Sequence, residues 1–139
     1  MFTSVSARSA SAYKRASVDS SVEMANPHQL VVLLFDALQR HLGAAEYALQ
    51  TADIPAKCKN IGAAIRILEE GLIAPLDLEK GGDLAANLKN LYSYCVTRLL
   101  FANVKSDAAA LQEVKRLIEP VANGWKQIDG AGPAYLKPI

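Results

Sequence analysis

The chain has 139 residues, of which 51% are hydrophobic and 21% charged, with a formal net charge of +1. That is the size of one domain, large enough to bury a core, and its hydrophobicity argues against a disordered chain. A near-neutral balance with no basic cluster excludes nucleic acid and anionic lipid as natural partners, and no uncharged apolar run approaches the roughly 18 residues of a membrane span.

Residues 1–24 are rich in Ser and Ala, with scattered apolar positions at Phe2, Val5, Tyr13, Val18 and Val22. That spacing predicts no long helix, and a mobile arm is the default for such a terminus. Tyr13 and Val18 are the residues by which the arm could dock onto a groove; composition alone leaves Tyr13 exposed. The opening MFTSVSARSASAYKR lacks the continuous apolar core of a secretory signal, so a cytoplasmic protein is expected.

Asn26-Pro27-His28-Gln29 reads as a helix start. Asn is a favoured N-cap, Pro suits the first helical position, and Gln29 completes a capping box. The helix is predicted to run to about Gln50. Leu30, Leu34, Leu38, Leu42, Ala45 and Leu49 form its inner stripe, and Val31 and Phe35 a shorter second row. After a short connection with Asp53 as cap, Pro55 opens a second helix whose stripe is Ile61, Ile65, Leu68 and Leu72, with Ile67 off it. Pro75 predicts a bend or an end near Gly71–Pro75.

Leu78–Gly82 is then a turn, its two glycines free to take positive φ. A long helix follows from about Asp83 to Asn103. Leu84, Leu88, Leu91, Cys95, Leu99 and Ala102 fall at steps of three and four, the period of one helix face. Tyr92, Val96 and Leu100 add a second apolar row, which implies either neighbours on two sides or an external partner. Ser106 or Asp107 can cap the last helix, whose stripe is Leu111, Val114, Ile118, Val121, Trp125 and Ile128. The stripe passes Pro120 without a phase jump, which predicts one kinked helix. Residues 130–139 read as a loose tail.

Four amphipathic segments joined by short turns predict an all-α fold, an antiparallel up-down four-helix bundle with a mobile N-terminal arm. The parts are an arm over 1–24, a bundle over 25–129 and a tail over 130–139. Chemistry is weakly signalled. Neither histidine belongs to a Glu-x-x-His pair. His28 reads as a solvated first-turn residue and His41 as a hydrogen-bonded structural one. Cys58 and Cys95 lack metal spacing and read as reduced thiols. No nucleophile elbow, phosphate loop or zinc motif is present. No enzyme, cofactor or metal is implied.

Taken together, the segments resemble the FliS family of flagellar secretion chaperones. The resemblance rests on Tyr13, on SVEMANPHQLVVLLFDAL (Ser21–Leu38), on the long stretch Ile65–Asp107, and on EVKRLI…WKQI (Glu113–Ile128). Its most specific part is LDLEKGGDLAANLKNLYSY, Leu76–Tyr94. The chain departs from the family pattern at Pro75 and Pro120, and Met24 and Asn26 stand where Thr and Ser are usual. The resemblance implies a helical bundle without catalytic activity. It also implies cytoplasmic binding of the disordered C-terminal segment of flagellin, prevention of premature polymerisation, and docking at the flagellar export gate. In that family the arm tyrosine, here Tyr13, covers an apolar groove when flagellin is absent. Combined with the surplus apolar rows, this makes Val31, Phe35, Ile61, Ile65, Leu68, Tyr92, Val96 and Leu99 the expected groove or client-facing residues. The rival readings are a structural subunit that self-assembles through the same rows, and an enzyme built in the bundle core.

Overall fold

The computed structural model describes residues 5–16 and 26–128. Val18, Met24 and the 130–139 tail lie outside the described residues. Among the described residues every element is a helix: α1 (Val5–Ala16), α2 (Pro27–Gln50), α3 (Ile54–Arg66), a π-helical extension of α3 (Ile67–Ile73), α4 (Leu78–Lys105) and α5 (Ala108–Lys126).

Each long helix begins where a side chain satisfies its free amides. Asn26 Oδ1 accepts from Gln29 N at 2.8 Å, and the Gln29 side chain accepts from Asn26 N at 3.1 Å. Asp53, Asp77 and Asp107 cap α3, α4 and α5 in the same way. Their carboxylates also suit the positive end of the helix dipole. Gly82 takes φ 52° and ψ −132°. It breaks the regular path of α4, so the long straight run starts at Asp83. Pro120 sits within α5, which stays a single element.

Four helices form a closed ring in which α2 packs on α3 and α5, and α4 on α5, α3 and the π segment. Side-chain bonds fix the antiparallel sense. Glu46 late in α2 pairs with Lys115 early in α5 at 2.7 Å, whereas His28 at the start of α2 meets Trp125 at the end of α5. Lys57 near the start of α3 donates to Asn103 O at the end of α4 at 2.8 Å and to Ser106 Oγ at 3.0 Å. Only 4% of Lys57 is exposed. Its ammonium therefore caps the negative end of the α4 dipole from a neighbouring helix.

The buried faces differ from the expected stripes in identifiable ways. In α4 the inward residues are Ala85, Tyr92, Cys95, Leu99 and Ala102, while Leu84 is 51% exposed and Leu88 and Leu91 are half-buried. Positions 85, 92 and 99 with 88, 95 and 102 repeat every seven residues, the 3.5-residue period of supercoiled packing. Leu84 and Leu91 flank that seam. In α3, Ile67 is enclosed and Ile65 is part-exposed, the reverse of expectation. Ile61, Ala64 and Leu68 carry the seam at steps of three and four, which leaves Ile65 at its edge, and Leu72 continues it through the widened turns that begin at Ile67. Val121 on α5 is half-buried, and Ile128, past the end of the helix, is 40% exposed.

His28 is not simply solvated. Its Nε2 donates to Trp125 O at 2.9 Å, its ring stacks on the indole at 5.4 Å, and Trp125 Nε1 donates to His28 O at 3.1 Å. This reciprocal clasp closes one end of the bundle. His41 Nδ1 meets Asn60 Oδ1 at 2.8 Å, as a structural histidine should.

Candidate functional site

The N-terminal stretch, for which apolar spacing predicts no long helix, carries the 12-residue α1. A helix of that length is marginal alone in water and needs packing to persist. Ser9, Ala12 and Tyr13 lie at helical spacing and all three are buried, so one small-residue face is turned onto the bundle. α1 lies against the π segment, α2 and α3. Tyr13, expected from composition to be exposed, is 1% exposed and belongs to the central cluster.

The π segment packs closely on both α1 and α2. A Cβ at Gly71 would stand 3.1 Å from Leu34 Cδ2. The missing side chain thus lets α2 approach the widened helix closely. On the same residue, Gly71 O accepts from Ser9 Oγ at 3.3 Å, a bond that ties α1 to the segment.

The expected groove residues fall into two groups. With α1 in place, Val31, Phe35, Ile61, Leu68, Tyr92 and Leu99 are enclosed in one cluster with Tyr13. Phe35 and Tyr92 stand 6.5 Å apart in a tilted ring pair. Ile65 and Val96 are half-buried and pack against the edge of that cluster. Val18 lies outside the described residues.

A second apolar feature emerges along α4. The row Tyr92, Val96, Leu100 runs outward from the core and continues to Val104, with Leu100 52% and Val104 80% exposed. The same i, i+4 spacing that picks out Tyr92, Val96 and Leu100 in the sequence extends to Val104. Two nearby aromatics have polar engagements. Tyr94 donates to Glu113 Oε2 at 2.7 Å, and Arg98 lies over the Phe101 ring at 5.0 Å while bonding Glu113 Oε1 at 2.7 Å. Tyr94 and Arg98 bonds hold the Glu113 carboxyl below the usual carboxylate range, and the same bond from Tyr94 raises the phenol. Among the described residues no three His, Cys, Asp or Glu side chains are grouped to hold a metal ion.

α1 thus lies as a short helix over an apolar seam. The family model described as "Flagellar protein FliS" matches residues 9–132. The chain belongs to the FliS family. Its similarity to named members extends over most of both chains. It is 46% identical over 117 residues to the flagellar secretion chaperone FliS of Salmonella typhimurium, covering 84% of this chain and 87% of that one. To the flagellar secretion chaperone FliSB of Pseudomonas aeruginosa it is 41% identical over 116 residues, 84% of this chain and 91% of the relative. To FliS of Escherichia coli K12 it is 39% identical over 121 residues, 87% and 89% of the two chains. The protein is thus a member of a family of flagellar secretion chaperones. The match begins at Ser9 and so takes in the buried face of α1. Among the described residues, no helix is long and apolar enough to cross a membrane.

Proposed function

We propose that this FliS-family protein is a cytoplasmic export chaperone for flagellin. It holds the disordered C-terminal segment of flagellin, keeps that segment from polymerising early, and presents the subunit to the flagellar export gate. One observation carries the reading: an aromatic needed to complete the central cluster, Tyr13, comes from a short helix marginal on its own, which packs on the rest of the bundle.

Binding is of the helix-in-groove kind. The client displaces α1 and lays its own apolar side chains against Val31, Phe35, Ile61 and Leu68. It continues past Ile65 at the edge, and along α4 over Tyr92, Val96 and Leu99. A disordered client loses chain entropy on ordering and needs a large contact, on the order of 1,000–3,000 Å². The exposed α4 row supplies length beyond the seam. Holding a client in this way calls for no reactive group, and the protein acts without catalysis.

Calorimetric titration with a flagellin C-terminal peptide tests this. Wild type binds, while Tyr92→Ala and Val96→Asp bind at least about tenfold more weakly, the loss expected when an interface anchor is truncated. Wild-type affinity in both variants, with helix content retained, would remove these residues from the interface.

A further inference from the structure

We propose that the carbonyl of Gly71 is a polar docking point, stranded by Pro75, which seats the Ser9 hydroxyl of α1 and must be satisfied by whatever segment takes the place of α1. The inference rests on the reading of α1 as a displaceable cover and adds a chemical requirement to it.

Inside a helix, a carbonyl accepts from the amide four residues on, or five on in a π-helix. Four residues after Gly71 stands Pro75, which has no N–H. The neighbouring donors are already engaged: Ala74 N–H goes to Glu69 O at 3.1 Å and Leu76 N–H to Ile73 O at 3.0 Å. Gly71 is buried, so water has poor access to the acceptor this leaves open. The donor that reaches it comes from 62 positions away, the hydroxyl of Ser9, itself only 4% exposed. Burying a hydroxyl and a carbonyl together is tolerable only if they bond, so each accounts for the other.

The bond is long for a hydroxyl donor, 3.3 Å against the usual 2.7–2.8 Å. A contact of that length orients the arm yet yields readily to a better donor. An incoming client that laid only aliphatic groups over Gly71 would leave the carbonyl buried and unpaired. One that carried a Ser, Thr, Asn or Gln there would satisfy it. The site therefore selects for a hydroxyl or amide side chain at one position of an otherwise apolar segment. Pro75, which offers no N–H, and the Leu76 amide, which is turned to Ile73 O, together create the requirement.

The test is a double-mutant cycle on the full chain, read by hydrogen exchange of the α1 amides with no client present. Ser9→Ala should speed α1 exchange about fivefold, the low end of what an orphaned buried acceptor implies. Pro75→Ala restores an amide four residues after Gly71, and in that background Ser9→Ala should change α1 exchange less than about twofold. An equal effect in both backgrounds, or none in the wild-type background, overturns the proposal. Should Pro75→Ala alter helix content, Ser11→Ala decides in its place. Ser11 is exposed on the same helix, so the change of helix propensity is the same while no buried acceptor is affected. Equal exchange in Ser9→Ala and Ser11→Ala would again overturn it. These measurements are independent of flagellin: failure of the peptide to bind would sink the chaperone reading and leave the Ser9–Pro75 coupling standing.

Discussion

Cys95 and Cys58 show how far one residue's setting departs from its type. Cys95 is fully enclosed on α4, and burial, with the Glu113 carboxylate adding to it, pushes its thiol up to about 12. Cys58 is exposed on α3, and both are free thiols. Thiolate is the reactive form, so a disulfide reagent on the native protein should modify Cys58 alone, with Cys95 following only on unfolding; peptide mass spectrometry reads both. Gly71 makes the opposite case, a residue chosen for what it lacks. Gly71→Ala places a methyl 3.1 Å from Leu34 Cδ2 in a fully enclosed part of the core. The crowding outweighs the gain in helix propensity, for a net loss of about 1–2 kcal/mol. Urea unfolding followed by Trp125 fluorescence measures it. The caps at Asn26 and Asp53 were legible in sequence because capping is local chemistry. The His28–Trp125 clasp was not, since its partners are 97 positions apart and neither is marked by its neighbours.

At the level of elements, α4 and α5 are joined at their outer edge by a charged cluster that salt and acid should loosen. Arg98 and Tyr94 on α4 both bond Glu113 on α5. Bonds from Tyr94 and Arg98 depress the Glu113 carboxyl, and the Lys115 bond depresses that of Glu46 between α5 and α2. A carboxyl whose folded pKa lies below its unfolded value stabilises the fold above the unfolded pKa. That contribution is lost as pH falls through the folded one. The thermal midpoint should therefore drop from about pH 5 downward, and Glu113→Gln should flatten part of the slope while leaving the midpoint near neutrality only slightly lower. Superimposable profiles for variant and wild type would remove Glu113 from the account. The helices themselves were readable because each has a cap and a periodic stripe. Two features needed tertiary information. The π segment arises where α3 meets both α1 and α2, and α1 is held by contacts that its own Ser- and Ala-rich sequence does not announce.

For the whole molecule, the question is whether α1 belongs to the core or covers a site. In the cluster Tyr13 resembles any other enclosed aromatic, at 1% exposure. Its connection differs: α2 to α5 are bound to one another around a closed ring, whereas α1 packs on α2, α3 and the π segment without closing that ring. The alternation of apolar and polar residues could show a surplus of apolar surface, but not which part faces inward and which part is covered by the chain's own terminus. Substitution separates the two roles. Tyr13→Ala removes an enclosed aromatic, which in an ordinary core costs about 3–5 kcal/mol. If Tyr13 is a cover, much of that loss belongs to undocking α1 alone, and α2 to α5 should still unfold cooperatively in urea. The same undocking raises the fraction of molecules open to a client, and apparent affinity scales with that fraction. A flagellin C-terminal peptide should then bind Tyr13→Ala about three- to tenfold more tightly than wild type by calorimetry. A self-assembling subunit would instead show the variant sedimenting as larger species, with no gain in peptide affinity. Equal or weaker peptide binding by a folded, monomeric variant would make Tyr13 part of the core and return the covering role to no residue of α1.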